Sequence, residues 1–264
     1  ENVTFLWHGG EPLLAGVDFF KQAIELQKTT KFVGRVTNNI QSNGTLINEE
    51  FSDFIVKSNV IFGVSIDGPK EIHDKNRKSF DGSGSFDRVM AGIKMLRDKG
   101  MNRIGSIALV TKDNVDYPDD VYNFLRTCGV TSSVFHFCSE TEGGTSSLIP
   151  NLDKAIKFFQ RVFDLWFLDD DSPFAIRNFV NVIRVLCGGI PIECASLHEG
   201  CRQLITINNL GDIYLCHRLV RNHEFKMGNI MEKSLSEIIA ESEKLYIEAS
   251  NIPEECFSCK WFST

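Results

Sequence analysis

The first 140 residues alternate short apolar or β-rich runs with longer segments in which apolar residues recur at helical spacing. This pattern predicts strands at residues 3–7, 35–41, 60–66, 104–110 and 134–138, and helices at residues 17–29, 49–58, 86–98 and 117–128. The alternation is typical of βα units, because parallel strands need a long crossover connection. Right-handed crossovers would place the carboxyl ends of these strands at one edge of a sheet. Residues 70–83 are predicted to be a long polar loop.

The pattern changes after residue 140, where loop-forming residues become frequent. Two helices, a hairpin and a last helix are predicted at residues 152–168, 174–186, 204–216 and 234–248. We therefore expect three parts. These are a βα domain at residues 1–140, a helical bridge at residues 141–190 and a smaller domain at residues 191–264.

The first candidate site follows the first predicted strand, in the sequence WHGGEP at residues 7–12. Glycine has no side chain, so the backbone at Gly9 and Gly10 can approach a bound group closely. A strand end that offers bare backbone and the carboxylate of Glu11 suits the ammonium group of a small ligand that resembles an amino acid. The alternative is an ordinary turn between a strand and a helix with a solvated glutamate.

Two further strand ends carry polar residues. The sequence QSNG at residues 41–44, which includes Asn43, follows the second strand. Ser65 and Asp67 follow the third strand and suit ribose hydroxyls, and Arg77 can hold a carboxylate in a two-pronged hydrogen bond. The alternative is that Ser65 and Asp67 cap a turn and that Arg77 is solvated. Together on one edge, these residues predict a site for a zwitterion joined to a nucleoside.

Five of the eight cysteines lie after residue 193 and form two groups. In the first group, six residues separate the first and second cysteines and fourteen separate the second and third. In the second group, two residues separate the two cysteines. The five are Cys194, Cys201, Cys216, Cys256 and Cys259. The first residues show no secretory signal, and clustered cysteines then indicate metal ligands rather than disulfides. Their spacing leaves zinc and iron–sulfur clusters open. The other three are interpreted as small apolar residues of the core, at Cys128, Cys138 and Cys187.

Composition and charge narrow the range of partners. The chain is 42% hydrophobic and 24% charged, which is typical of globular proteins. Its formal net charge of −7 argues against a nucleic-acid backbone or an anionic membrane as partner. No apolar run reaches the length of a membrane span. We therefore expect neither nucleic acid nor a membrane as partner.

Four motifs resemble those of radical S-adenosylmethionine enzymes. They are WHGGEPLL at residues 7–14, SNGTLI at residues 42–47, VSIDGP at residues 64–69 and HDxxR at residues 73–77. The cysteine array, with Gly211 five residues before Cys216, resembles the SPASM extension of these enzymes, which holds auxiliary [4Fe-4S] clusters. The resemblance covers nearly the whole chain. It implies an α/β fold, with a partial (β/α)6 barrel of the TIM type followed by a loop-rich, cysteine-rich SPASM domain with a β-hairpin.

The resemblance also implies roles for the site residues. The residues implied to bind S-adenosylmethionine are Gly9, Gly10 and Glu11 at the methionine amino group, Asn43 at the same edge, Ser65 and Asp67 near the ribose, and Arg77 near the methionine carboxylate. The implied cluster ligands are Cys194, Cys201 and Cys216 for a first auxiliary [4Fe-4S] cluster and Cys256 and Cys259 for a second.

The resemblance implies a maturase that modifies a peptide or protein side chain through a 5′-deoxyadenosyl radical. The WHGGEP form favours cross-linking of a ribosomally made peptide. The alternatives are oxidation of a sulfatase Ser or Cys to formylglycine, a degenerate paralogue that binds a peptide without catalysis, and a structural zinc module in the second half. The implied partners are a peptide or protein substrate and an electron donor such as flavodoxin or ferredoxin. Oxygen-labile clusters imply a reducing cytoplasm.

Two features depart from the family pattern. The Cys-x3-Cys-x2-Cys motif that binds the catalytic cluster is absent, and the SPASM cysteines stop at Cys259. We therefore expect a fragment of a longer enzyme, cut at both ends and inactive by itself. In the sulfatase-maturing branch an aspartate follows the cysteine at the Cys216 position and acts as a base, whereas this chain has His217. Neutral imidazole can take a proton near neutral pH, so His217 is a candidate base, with a structural role as the alternative.

Overall fold

The structure is a computed structural model that describes residues 2–139, 146–170, 173–192, 202, 204–220, 222–249 and 254–259. The chain divides into two compact units, Glu1–Asn178 and Phe179–Thr264. Within the described residues, the first unit contains a parallel sheet and the second a small antiparallel sheet.

The strands of the parallel sheet lie side by side in chain order. They are β1 (Asn2–Trp7), β2 (Arg35–Ser42), β3 (Ile61–Ser65), β4 (Ile104–Val110), β5 (Ser132–Phe137) and β6 (Ala175–Ile176). Helices connect successive strands, as parallel pairing requires. They are α1 (Val17–Thr29), α2 (Glu49–Lys57), α3 (Lys70–Asn76), α4 (Phe86–Asp98), α5 (Pro118–Leu125) and α6 (Leu152–Phe167), and α7 (Arg177–Leu186) follows β6.

Helix α2 shows how local sequence sets an element boundary. The side chain of Asn48 accepts a hydrogen bond from the Phe51 N–H at 2.9 Å and so caps the helix. Glu49 and Glu50 lie in the first turn and Lys57 in the last, where their charges complement the helix dipole. These signals explain why the helix begins where the sequence predicts.

The helix-facing side of the sheet forms the core of the first unit. Phe62 and Val64 of β3 are at most 1% exposed there. At the end of β1, the ring of Trp7 packs edge-on against Phe20 of α1, and its indole N–H donates to Asn38 Oδ1 at 2.9 Å. These contacts hold the last residue of β1 in place immediately before the glycine pair.

The opposite side of the sheet is polar along β2, where it neighbours Thr4 and Leu6 of β1. Side chains alternate along a strand, so Thr37, Asn39 and Gln41 point away from the helices. The hydroxyl groups of Thr4 and Thr37 lie 2.8 Å apart across the two strands. A polar surface of this kind is not part of a packed core, and it suits the wall of a ligand-binding site.

After α7, most of which belongs to the second unit, the described residues of that unit include three short antiparallel strands and three short α-helices. They are β7 (Thr206–Ile207), β8 (Asp212–Tyr214) and β9 (Lys226–Asn229), followed by α8 (Leu235–Glu241), α9 (Glu243–Ala249) and α10 (Glu254–Phe257). A capping box between Ser234 and Glu237 starts α8. None of the helices in the described parts of either unit is both long enough and apolar enough to span a membrane.

The expected α/β fold with its parallel strands and later hairpin is confirmed, and the sheet order agrees with a partial (β/α)6 barrel. Several element predictions are wrong. Helix α3 forms inside the predicted polar loop at residues 70–83, and the helix predicted at residues 174–186 begins with strand β6. The helix predicted at residues 234–248 is divided at Ser242, and β9 was not predicted. The three-part division of the chain stays a prediction.

Candidate functional site

A carboxylate at the end of β1 is held by groups at the end of β2. Glu11 Oε1 accepts hydrogen bonds from the Leu13 N–H at 3.0 Å and from the Ser42 hydroxyl at 2.8 Å, and Oε2 accepts from the Asn43 N–H at 2.8 Å. The two strands are parallel neighbours, so their carboxyl ends lie together. We call this group the Glu11 cradle, formed by Gly9, Gly10, Glu11, Ser42 and Asn43.

The backbone beside Glu11 is open. Gly9 and Gly10 have φ angles of +86° and +54°, a left-handed conformation that favours glycine. A Cβ atom built on either residue would meet nothing within 4 Å. The glycine pair therefore leaves space next to the carboxylate that a bound group can enter.

The cradle fits an ammonium group. A carboxylate offers about four acceptor positions, and three are filled here by neutral donors. One acceptor position on Oε2 stays available to a ligand N–H. Among the described residues, the Asn43 side-chain amide donates no hydrogen bond to Glu11, and its Oδ1 accepts from the N–H and the hydroxyl of Thr45 at 2.9 and 2.7 Å. Asn43 thus acts through its backbone N–H and through the shape of its turn.

Gln41 links the cradle to the end of β3. Its Nε2 lies 3.4 Å from Ser65 Oγ, and a Cβ built on Gly63 would lie 2.2 Å from its Oε1. The Gln41 side chain therefore lies across β3 at the point where glycine makes room. The sequence places Gln41 at this edge, within QSNG, but its contact across β3 was not predicted. A glycine inside a strand pattern often marks such a close approach, so Gly63 was the available signal.

The end of β3 carries an ion pair in which the carboxylate is buried and the guanidinium is half-buried. The Asp67 side chain is 7% exposed and accepts two-pronged hydrogen bonds from Arg77 Nε at 2.6 Å and Nη2 at 2.9 Å. Its Oδ1 also accepts from the Leu109 N–H of β4 at 2.8 Å. Arg77 does hold a carboxylate in two-pronged fashion, but that carboxylate belongs to Asp67. The assignments of Asp67 to a ribose and of Arg77 to a ligand carboxylate stay predictions.

Three of the five predicted cluster ligands lie in the described residues. Cys216 is half-buried after β8, and none of the three forms a disulfide in the structure. Cys256 and Cys259 lie one helical turn apart at α10, where the Cys259 N–H donates to the Cys256 carbonyl at 3.1 Å. Two thiols at this spacing fit one metal centre. The described residues show no group of three or more possible ligands, and Cys194 and Cys201 lie outside the described residues.

His217 lies beside a predicted cluster ligand. Its Nδ1 is 3.8 Å from Cys216 Sγ. Partial removal from solvent and the neighbouring Arg218 cation lower the pKa of His217 below its ordinary value. A lowered pKa leaves the ring neutral at neutral pH, which is the form that can accept a proton. Its role as a base stays a prediction.

An apolar cavity of about 650 Å³ lies at the carboxyl end of β5. Its walls include Phe137 and Cys138 at the strand end and Ile156 and Phe159 of α6. No charged residue is among the described residues that line it. The cavity suits an apolar side chain and not a charged nucleoside.

Two family profiles match the chain. The Radical SAM superfamily profile matches residues 2–125, which include the Glu11 cradle and Arg77. The SPASM profile, described as an iron–sulfur cluster-binding domain, matches residues 199–260. The first match covers β1 to α5, and the second covers four of the five predicted cluster ligands.

Curated relatives are similar over nearly the whole chain. A serine-type anaerobic sulfatase-maturating enzyme from Bacteroides thetaiotaomicron is 33% identical over 280 residues, which cover 98% of this chain and 66% of the relative. A cysteine-type enzyme of the same description from Clostridium novyi is 33% identical over 274 residues, covering 99% of this chain and 71% of the relative. The chain thus spans about two thirds of the length of these relatives.

A solved protein has a similar fold. The structure described as native anSMEcpe with bound AdoMet superimposes with a TM-score of 0.90 at 27% identity, covering 99% of this chain and 73% of that chain. The same protein with bound AdoMet and the Kp18Cys peptide gives a TM-score of 0.89 at 27% identity, with coverages of 99% and 74%.

Proposed function

We propose that the full-length protein oxidises a side chain of a peptide or protein substrate. This chain belongs to the radical SAM superfamily and carries its SPASM iron–sulfur cluster-binding domain. The observation that carries this proposal is the Glu11 cradle, a carboxylate with an available acceptor position beside open glycine backbone. Because the chain spans about two thirds of its relatives, the activity is proposed for the longer protein.

The described residues fit S-adenosylmethionine. Glu11 would accept a hydrogen bond from the methionine ammonium group, and Gly9 and Gly10 would let the ligand approach the backbone. Ser65, the next polar group along the edge, would lie near the ribose. The pair of Asp67 and Arg77 would hold the end of β3 rigid beside it. When bound, S-adenosylmethionine and an iron–sulfur cluster supply one-electron chemistry that removes a hydrogen atom from a substrate side chain.

The described cysteines fit auxiliary clusters. Iron–sulfur clusters are bound by cysteine thiolates, and the Cys-x2-Cys spacing of Cys256 and Cys259 is one of their usual arrangements. Cys216 would contribute a ligand from the end of β8. These clusters would take up the electron that the substrate loses after hydrogen removal.

A peptide or protein is the substrate class that the comparisons support, because a solved protein of similar fold holds a bound peptide. Formylglycine formation on a Cys or Ser side chain is favoured by the two relatives described as sulfatase-maturating enzymes. Peptide cross-linking is the second candidate. It is supported by the WHGGEP form at residues 7–12 and by His217, a position at which the resemblance implies an aspartate in the sulfatase-maturing branch.

The partners and location follow from the same chemistry. We infer that a small low-potential protein such as flavodoxin or ferredoxin supplies the electron, and that the enzyme works in a reducing cytoplasm. The net charge of −7 supports the absence of nucleic acid and anionic membranes among its partners.

The first experiment measures iron, sulfide and zinc in the full-length protein after anaerobic reconstitution. Iron with equivalent sulfide, followed by release of 5′-deoxyadenosine on addition of S-adenosylmethionine and a reductant, is the expected result. Zinc without sulfide would overturn the proposal, as would clusters that never cleave S-adenosylmethionine.

A second experiment distinguishes the two products. The enzyme is incubated with peptides that contain a Cys or a Ser, and the products are treated with a hydrazide reagent before mass spectrometry. Formylglycine is an aldehyde and gains the reagent, whereas a cross-link does not and instead prevents fragmentation between the linked residues.

A further inference from the structure

Helix α3 buries a histidine directly behind the Asp67–Arg77 pair. The His73 side chain is 0% exposed and packs edge-on against the ring of Phe86 at the start of α4. Its Nδ1 lies 3.4 Å from the Asp67 N–H, and its Nε2 lies 3.0 Å from Ser85 Oγ. Both ring nitrogens of His73 therefore form hydrogen bonds with residues outside α3.

These contacts define the tautomer. The backbone N–H of Asp67 is a donor, so Nδ1 must be the acceptor and the ring proton lies on Nε2. Nε2–H then donates to Ser85 Oγ, and the Ser85 hydroxyl donates to the Arg77 carbonyl at 2.8 Å. A continuous chain of hydrogen bonds therefore runs from the backbone of Asp67 to the backbone of Arg77.

The same two residues meet a second time through their side chains. The guanidinium of Arg77 binds the Asp67 carboxylate with two hydrogen bonds. Asp67 and Arg77 are therefore connected by two routes. One route is the side-chain ion pair, and the other is the chain of hydrogen bonds through His73 and Ser85. Buried networks in which every member is satisfied hold one geometry.

Ser85 also closes a hairpin that starts at Arg77. The Ser85 N–H donates to the Arg77 carbonyl at 3.1 Å, and Lys78 pairs with Gly84 in an antiparallel bridge. The Ser85 hydroxyl thus connects the base of this hairpin to α3. Loss of that hydroxyl would leave Nε2–H of His73 buried without an acceptor and would loosen the backbone that carries the Arg77 side chain.

We propose that His73 and Ser85 are positioning residues that hold the Asp67–Arg77 pair, and with it the end of β3, in the geometry that receives the nucleoside part of S-adenosylmethionine. The proposal rests on the proposed function, because the ligand is the one assigned there. Neither side chain needs to touch the ligand. Both act through the backbones of the paired residues.

The test compares two buried serines in the anaerobically reconstituted full-length protein. Ser85→Ala removes a hydroxyl that donates to a carbonyl inside the network. Ser52→Ala is the matched control, because Ser52 is 0% exposed and its hydroxyl donates to the Glu49 carbonyl at 2.9 Å, within α2 and away from the network. Calorimetry measures the affinity for S-adenosylmethionine well below the unfolding transition of each variant. We expect Ser85→Ala to weaken binding roughly fivefold, about 1 kcal/mol, and Ser52→Ala to leave it unchanged.

A double-mutant cycle tests the route of the effect. Arg77→Lys keeps the charge but removes the two-pronged bond. If Ser85 acts through Arg77, Ser85→Ala adds little further loss of affinity in the Arg77→Lys protein. Fully additive losses would contradict the proposal.

A second variant covers the case in which Ser85→Ala does not fold. His73→Gln retains a group that can reach Ser85 but releases the Asp67 N–H, and we expect it to weaken binding as well. Parent-like affinity in either folded variant would overturn the positioning role alone. A parent protein that does not bind S-adenosylmethionine would overturn the proposed function and the positioning role together.

Discussion

Replacement of Glu11 by glutamine separates the two tasks of this side chain. In the structure the carboxylate joins the ends of β1 and β2 through three neutral donors, and it offers a fourth position to a ligand. Glutamine has nearly the same shape. Its carbonyl oxygen can replace Oε1 and keep the hydrogen bonds from Leu13 and Ser42. Its amide nitrogen would replace Oε2 and face the Asn43 N–H, so one hydrogen bond would be lost.

The magnitude follows from these contacts. Loss of one hydrogen bond to a charged group in a half-buried position costs about 1–2 kcal/mol of folding free energy. The ligand loses the carboxylate charge opposite its ammonium group and meets an amide N–H instead. We therefore expect the affinity for S-adenosylmethionine to fall roughly 10- to 100-fold, about 1.4–2.8 kcal/mol, while the protein stays folded.

Ser42→Ala is the matched control for this experiment. Ser42 is 2% exposed, donates to Glu11 and accepts from the Gly44 N–H at 2.9 Å. Its loss disturbs the same cradle at a similar cost in stability but keeps the carboxylate charge. Calorimetric titration and thermal unfolding of both variants of the full-length protein give the two quantities. Equal losses of affinity, or no loss for Glu11→Gln, would mean that the carboxylate only joins the strands.

Three further outcomes are expected. Cys216→Ala should lower the iron content of the anaerobically reconstituted full-length protein. Cys128→Ala, at a buried thiol in the first unit, should not. Equal iron content in the Cys216→Ala variant and the parent would show that Cys216 is not a cluster ligand. Burial lowers the pKa of His73, so the unfolded chain takes up its proton first, and the free energy of unfolding should fall as the pH drops below about 6.5. Urea titrations across pH should show a smaller loss for His73→Gln, and identical pH profiles would contradict this. Gly92→Ala in α4 should lower the unfolding temperature, because the new Cβ would lie 2.9 Å from the Gly44 carbonyl oxygen. Alanine normally stabilises a helix by about 1 kcal/mol relative to glycine, so a rise in the unfolding temperature would refute this packing argument.

Long elements of regular pattern were predictable from the sequence. The helices at residues 17–29 and 86–98 and the strand at residues 104–110 have the predicted bounds, because their apolar periodicity and the residues at their ends agree. Turn glycines placed the Glu11 cradle at the correct edge. These features depend on neighbours in the sequence and on strand order, both of which a single chain shows.

Short elements could not be predicted because tertiary contacts create them. Strand β6 has two residues, and its apolar neighbours continue into α7, so a helical pattern covers both. Helix α3 is seven residues long with mostly polar residues, too short to be stable by itself. It forms because Ile72 and His73 are buried against the rest of the first unit. No local signal reports such burial.

The two acidic residues of the edge show what a sequence cannot reveal about a site. Residue type and position marked Glu11 and Asp67 as ligand-binding candidates, but each carboxylate also accepts a backbone N–H from the neighbouring strand end, at Asn43 and Leu109. The donors lie 32 and 42 residues away, so only the register of the sheet brings them together. A carboxylate fixed in this way cannot relax toward a ligand and loses little entropy when one binds. The same contacts therefore stabilise the fold and preorganise the site. For this reason, substitutions at this edge should be judged by affinity and stability measured on the same variant.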